Sequence, residues 1–360
     1  MTPHRISVST PGRICLFGEH QDYLLLPVIP CAVSLRISLT GEVTEQPRLD
    51  LDLPDIGDHL SLPLNEDMKY VTERDYCRST INVMRRKGFS FSRGFRGVVH
   101  GEIPINSGTS SSSALIANWV ALLARISDQS LRLDPDTIAR LAHAAEVLEF
   151  KEPGGMMDHF STAMGGVLYL QFHPKVRVEP LNPQLGVFIL GDSAEPKNTK
   201  GILARVKDGV MRITRQLASR HSDFFLQTVA TEHLSQFKSE LSADEFSLLQ
   251  GTVKNRDLTI EARALLHQRE MDHEGFGRLL SEHHLILRDV QQISTPKIDR
   301  MIDAALSAGA LGGKINGSGG GGCMFVYAPD HPETVVEAIE QAGGQAFIVT
   351  PAPGTMMQEE

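Results

Sequence analysis

Pro104-Ile105-Asn106-Ser107-Gly108-Thr109-Ser110-Ser111-Ser112-Ser113-Ala114 stands between two regular patterns. The segment before it, Gly97-Val98-Val99-His100-Gly101-Glu102-Ile103, alternates and predicts a strand. After it, Leu115, Trp119, Leu122, Leu123 and Ile126 fall on one helical face. A glycine- and hydroxyl-rich loop therefore opens a helix directly after a strand. The first backbone N–H groups of a helix lack intrahelical partners, and the helix dipole adds positive charge there. Gly108 and the small residues Ser110, Ser111, Ser112 and Ser113 would let a phosphate reach that backbone. Serine hydroxyls are also hard donors suited to Mg²⁺. Read alone, the stretch fits an N-cap beside a serine linker equally well.

The bulk of the chain narrows the classes. Its 360 residues exceed one ordinary core and predict two domains, 1–180 and 181–360. A formal net charge of −9 argues against a nucleic-acid or anionic-membrane surface, while leaving room for a local nucleotide pocket. Cys15, Cys31, Cys77 and Cys323 form no C-x-x-C pair and read as reduced, buried thiols of a cytoplasmic protein. No apolar run could span a bilayer, and no signal-peptide core opens the sequence.

Upstream, Pro11-Gly12 reads as a turn between a first strand around Ile6 and Val8 and a short strand, 14–17. Beyond Gly18, Glu19, His20, Asp22 and Tyr23 crowd the strand end, as a surface loop or as a grip on a polyhydroxylated ligand. Strands are predicted in 27–39, 48–53 and 167–172, and a helix in 68–87. Asp134-Pro135-Asp136 starts a further helix, with Glu146 beside its buried face. Pro153-Gly154-Gly155-Met156-Met157-Asp158 stops it and begins a new helical turn, where Asp158 is either an N-cap or a carboxylate in an apolar pocket. Asn198-Thr199 could cap a helix through Ile202, Val206, Val210 and Ile213. His283 and His284 are adjacent on a helix, which suits packing better than metal binding.

Near the end, 312–316 and 323–327 read as strands joined by Gly317-Ser318-Gly319-Gly320-Gly321-Gly322. These glycines satisfy G-x-G-x-x-G, but a strand follows them where a dinucleotide fingerprint needs a helix. A plain hairpin needs fewer glycines. So rich a run implies backbone pressed against another body, either the serine loop or a phosphate. A helix over 333–341 and a strand over 345–349 complete an antiparallel α+β ending.

Three motifs thus stand in order. They are Pro11-Gly12-Arg13 with Gly18-Glu19-His20-x-Asp22-Tyr23, Pro104-x3-Gly108-x-Ser110-Ser111-Ser112, and Lys314-Ile315-x-Gly317-x-Gly319-Gly320-Gly321-Gly322-Cys323. Together they resemble the GHMP small-molecule kinase family over nearly the whole chain, and the first is most like that of its galactokinase branch. The resemblance implies an α+β, two-domain fold, with an N-terminal ribosomal S5 domain 2-like unit and a C-terminal ferredoxin-like unit. It also implies ATP- and Mg²⁺-dependent phosphorylation of a monosaccharide, at the anomeric C1 hydroxyl. Asp158 then resembles the catalytic carboxylate and Arg13 its partner. Ser112, or Ser113 if the extra serine shifts the register, resembles the metal-ligating hydroxyl, with Glu146 as the second ligand. Gly108, Ser110 to Ser113, Gly317, Gly319 and Gly320 resemble the ATP-phosphate cradle. Glu19, His20, Asp22 and Gly155 resemble sugar contacts. The implied partner is a small sugar, with no nucleic acid or membrane, and the protein a monomer or homodimer.

Some residues depart from that pattern. Leu24-Leu25-Leu26 follow Asp22-Tyr23 where galactokinases usually have Asn and Gly, so the turn must differ. Gly191-Asp192-Ser193-x3-Lys197-Asn198-Thr199-Lys200 is more similar to mevalonate kinases. Two alternatives follow: a mevalonate kinase-like enzyme, and a catalytically silent regulator that senses sugar and ATP. Arg13 stands where mevalonate kinases carry Lys, and Arg13, Ser112, Glu146 and Asp158 are all present, which favours an active sugar kinase.

Overall fold

The computed structural model describes residues 5–105, 107–197, 201–202 and 204–360. The expected cap at Asn198-Thr199 lies outside them. In chain order the strands are β1 (Arg5–Phe17), β2 (Ile29–Thr44), β3 (Arg48–Leu53), β4 (Asp58–Pro63), β5 (Gly94–Gly101), β6 (Val167–Gln171), β7 (Arg177–Leu181), β8 (Phe188–Asp192), β9 (Gly312–Ile315), β10 (Cys323–Tyr327), β11 (Gln345–Val349) and β12 (Met356–Glu359). The helices are α1 (Tyr76–Arg86), α2 (Ser111–Ile126), α3 (Pro135–His143), α4 (Met157–Met164), α5 (Gly209–Arg220), α6 (Ala243–Leu266), α7 (His273–Leu285), α8 (Pro296–Ser307) and α9 (Pro332–Gln341). Single π-helical turns occupy 144–148, 204–208 and 286–290.

Alternating apolar residues build an eight-stranded sheet in the order β12-β1-β2-β5-β3-β4, with β6 joining β2 and β7 joining β6. Helices α1 to α4 cover it. Trp119, Leu122 and Leu123 of α2 meet Val8, Leu39 and Phe95 in one core. The second sheet is antiparallel, β11-β8-β10-β9. Its two faces join two cores, one around Phe188, Phe276 and Phe325, the other around Ile189, Met301 and Ile339. A mixed α+β fold with two sheet-centred halves results.

Some expectations are corrected. Pro11-Gly12 is not a turn: β1 runs straight through it, with a register shift against β2 between those residues. A Cβ on Gly12 would lie 3.0 Å from the Thr109 carbonyl oxygen, so glycine lets the serine loop close on the strand there. The helix expected over 68–87 begins only at Tyr76, where the Asp75 side chain accepts from the Arg78 N–H. Nor does residue number divide the halves cleanly. We propose a domain division near 181, but β12 returns to pair antiparallel with β1, so 181–360 is not one uninterrupted unit.

The Leu24-Leu25-Leu26 departure has a physical reason. Asp22–Leu24 form a 3₁₀ turn, and Leu25 closes it with φ 61°. Leu24 and Leu26 are buried with Val210, Ile213 and Leu217 of α5. These leucines fasten the first motif to the second half of the chain.

Candidate functional site

A cleft of about 980 Å³ opens where the two halves meet. Its wall includes Arg13, Glu19, His20, Asp22, Gly108, Ser110, Ser111, Ser112, Ser113, Glu146, Gly155, Asp158, Lys197 and Gly317. Thus the three ordered motifs, far apart in sequence, share one cavity.

Arg13 and Asp158 form its centre. Arg13 Nε donates to Asp158 Oδ1 at 2.8 Å, and Nη2 lies 2.8 Å from the same oxygen. Arg13 Nη1 donates to the Gly108 carbonyl, and its backbone N–H to Thr109 O at 3.1 Å. One buried guanidinium therefore grips both the carboxylate and the serine loop. Burial alone would raise the Asp158 carboxyl, but Arg13 and, after it, His159 act together to hold the group below the usual carboxylate range. Asp158 sits in the first turn of α4, whose N-cap is Met156 without a side-chain bond. The N-cap alternative for Asp158 does not hold.

Ser110, in the left-handed region at φ 62°, precedes α2. Ser111 to Ser113 form its first turn, where N–H groups lack intrahelical partners. Ser113 Oγ donates to Glu146 Oε2 at 2.7 Å, and His159 Nε2 lies 2.8 Å from the same oxygen. Glu146 is buried on the π turn that prolongs α3. Burial alone would raise its carboxyl, but His159 and Ser113 hold it below the usual range. Of the two serines left open, both line the cleft and both help hold the Glu146 carboxyl down, Ser113 through the 2.7 Å hydrogen bond. Among the described residues, no group of three or more His, Cys, Asp or Glu could hold a metal. A serine hydroxyl beside a buried carboxylate is nevertheless a hard-oxygen pair, the chemistry Mg²⁺ favours when phosphate oxygens complete its shell.

The end of the cleft around Asp22 is acidic. Asp22 Oδ1 accepts from the Tyr23 N–H at 2.8 Å and Oδ2 from the Met157 N–H at 3.4 Å. Burial, followed by the charge of Asp158, raises its pKa to about 6. A Cβ at Gly155 would fall 1.9 Å from Asp22 Oδ2, so only glycine leaves room for this carboxylate. His20 bonds Tyr23 Oη at 2.6 Å and Ser318 O at 3.1 Å through its two ring nitrogens. Glu19 Oε1 takes Lys314 Nζ at 3.2 Å and the Gly317 N–H at 2.5 Å. Glu19 and His20 reach the cleft wall, yet both also lock the first motif to the glycine hairpin.

That hairpin presses on the serine loop, as one reading of its composition anticipates. The Cys323 N–H donates to Ser107 O at 2.8 Å, and a Cβ at Gly322, whose φ is 78°, would lie 2.5 Å from that oxygen. Asn316 Nδ2 donates to Gly108 O at 2.9 Å. Gly317 stays at the cleft wall. Gly319 and Gly320 do not: both pack on Ile293, and the Gly320 N–H is used by Ile293 O at 2.7 Å. The phosphate-contact expectation for those two is corrected.

Some groups in or against the wall escaped the sequence reading. Lys197 Nζ lies 2.7 Å from where a Gly108 Cβ would be, and its pKa is lowered by burial and then by Arg13. Its stretch stood out in the sequence, but only the fold carries it to Gly108. Arg74, at φ 92°, forms a two-pronged pair with Glu152, both bonds 2.8 Å. His159 directly follows Asp158 in the chain, but only the fold brings it to Glu146. His283 and His284 are packing residues, as expected. His283 stacks on Phe17, and His284 Nε2 lies 3.3 Å from Asp299 Oδ1.

Comparison with known proteins meets this geometry. Models of the GHMP kinase N-terminal and C-terminal domains match residues 75–166 and 262–345. The galactokinase galactose-binding signature matches 2–42. Galactokinase from Homo sapiens is 30% identical, over 95% of this chain and 88% of its own length. The chain belongs to the GHMP kinase family. It is, as a GHMP kinase, an ATP-dependent phosphotransferase with an alcohol group as acceptor. Mevalonate kinase from Thermococcus gammatolerans is similar at 29% identity, over 96% of this chain and 95% of its own. Among solved structures, Lactococcus lactis galactokinase complexed with galactose has a TM-score of 0.86 at 21% identity, covering 98% of this chain and 95% of its own. That likeness shows the GHMP kinase fold. No helix among the described residues is long and apolar enough to cross a membrane.

Proposed function

We propose that this GHMP kinase phosphorylates a free monosaccharide, galactokinase-like, at its anomeric C1 hydroxyl. One observation carries the reading: the Arg13–Asp158 pair faces a cleft that has the serine loop on one side and Asp22 with Gly155 on the other. The serine loop and the first turn of α2 would cradle the ATP phosphates. Asp22 and the backbone around Gly155 would take sugar hydroxyls, with Glu19 and His20 holding that wall. Asp158, kept ionised beside Arg13, would accept the proton of the attacking hydroxyl. Both Arg13 contacts end on Oδ1, so we assign Oδ2 to the acceptor. Arg13, tied to Asp158 and Gly108, would fix the base against the phosphate loop. Lys197 would neutralise charge on the transferring group.

Ser112 and Glu146 would hold Mg²⁺, with Ser113 bracing Glu146. When bound, the ion would supply charge neutralisation on the phosphate oxygens. With buried free thiols at Cys15, Cys31 and Cys323, a reducing cytoplasmic setting fits.

The mevalonate kinase-like reading stands second, because relatives of that name match at nearly the same identity. Mevalonate carries a carboxylate, which needs a cation at the acceptor end. Here Glu19, Asp158 and Arg74 are each already paired, with Lys314, Arg13 and Glu152, which leaves the Asp22 carboxyl to face the ligand. A neutral polyol fits such a wall better. ATP-dependent turnover of a sugar panel plus mevalonate, with Asp158→Ala as control, tests both readings. Transfer to a sugar that D158A abolishes supports the first, and transfer to mevalonate alone supports the second.

A further inference from the structure

We infer that His159 is a positioning residue for the cation site, fixing the Glu146 carboxylate so that one of its oxygens remains for the metal. The inference rests on the reading of Glu146 as a Mg²⁺ ligand. His159 lies on α4, immediately after Asp158, and its side chain is almost wholly buried. Its Nε2 meets Glu146 Oε2 at 2.8 Å. A carboxylate oxygen accepts, so Nε2 carries the proton and donates. Ser113 Oγ donates to that same Oε2 at 2.7 Å. Two donors from two helices, α2 and α4, thus converge on one oxygen of a carboxylate held on a third element, the π turn after α3.

Two bonds to one oxygen fix the plane of the carboxylate and leave Oε1 as the oxygen assigned to the cation. Such orientation of a ligand by a second residue typically changes metal affinity 10- to 100-fold.

Beyond that bond His159 also helps hold the Asp158 carboxyl down electrostatically, but its ring makes no second hydrogen bond among the described residues. Its Nδ1 is buried without a hydrogen-bond partner among the described residues. The ring meets His143 edge-on, centroids 5.2 Å apart. A buried nitrogen without a partner costs stability. An apolar residue would fill this place at less cost if packing were all it did. The Glu146 bond is the hydrogen bond the histidine adds.

The test measures divalent-cation binding directly, with Mn²⁺ as probe in the presence of ADP, by electron paramagnetic resonance on the full chain. His159→Leu should bind Mn²⁺ 10- to 100-fold more weakly, with its Tm unchanged or raised. His159→Gln, whose amide can donate to Glu146, should stay within about threefold of wild type. The KM for the sugar should not move in either variant. Should H159L fail to fold, His159→Asn, polar but too short to reach, takes its place with the same expected loss. Wild-type Mn²⁺ affinity in H159L or H159N, alongside weakened binding in Glu146→Gln, would overturn the role of His159 alone. Wild-type affinity in Glu146→Gln would overturn the metal reading of Glu146, and this inference with it.

Discussion

Asp22 shows how one carboxylate is set by its surroundings. Its pKa of about 6 in the folded chain exceeds the ordinary 3.8 because burial and Asp158 disfavour its charge. Between those values the folded chain holds a proton that the unfolded chain has released. Asp22 therefore lowers stability progressively as pH rises from about 4 to 6, and the full cost, up to about 3 kcal/mol, stands above 6. Asp22→Asn should raise the Tm of the sugar-free protein at pH 8, with the gain shrinking toward pH 4. Thermal unfolding across that range checks the sign. Glu146→Gln removes a charged hard-oxygen donor, so the Mg²⁺ concentration giving half-maximal turnover should rise about tenfold or more. An unchanged Mg²⁺ dependence would remove Glu146 from the site. Arg13, Asp22 and Asp158 stood out in the sequence because each sits beside a glycine, just past a strand end or at a helix start in an ordered motif, whereas Glu146, inside a helical run, drew notice only through the spacing ahead of Asp158 that the family resemblance supplied. Lys197 and His159 did not. Their meaning lies in what Gly108 and Glu146 bring to them across long loops.

At the level of elements, the site depends on two loops closing against each other. Gly322 and Ser107 are in backbone contact, and a Cβ at residue 322 would enter that contact at 2.5 Å on a backbone with φ 78°. Gly322→Ala should therefore cost about 2 kcal/mol or more. It should also raise the KM for ATP more than that for the acceptor, since the serine loop moves. Chemical unfolding and initial-rate kinetics measure both. The sequence showed that the glycine run touches something but left the body open, because glycine composition records closeness and not its partner. Pro11-Gly12 misled for a related reason. Its residues favour turns, yet β1 stays paired with β2 on both sides and absorbs them as an irregularity. The edge strands β4, β7 and β12 also escaped the sequence reading. Charged and proline residues such as Asp58, Glu179 and Pro180 blur their alternation.

For the whole molecule, the halves are joined through a buried ion pair. Lys314 Nζ on β9 meets Cys15 O at 2.8 Å and Glu19 Oε1 at 3.2 Å, with Lys314 wholly buried. Lys314→Met would leave Glu19 in the interior without its cation. It should destabilise the protein by about 3–5 kcal/mol in denaturant titration. A loss below 1 kcal/mol would show that this pair does not hold the halves. The two-domain plan could be read from length and motif order. The return of β12 to β1 could not, because a four-residue strand of alternating exposure carries little pattern. The central claim concerns what the assembled cleft phosphorylates. The most direct measurement is ATP-dependent phosphate transfer to a panel of free sugars and mevalonate, with the product's phosphorylated carbon assigned by NMR, for wild type and Asp158→Ala. The account predicts a sugar 1-phosphate from wild type, no product from mevalonate, and a rate at least 10²-fold lower in D158A. Transfer to mevalonate alone, no transfer to any sugar, or undiminished D158A activity would contradict it.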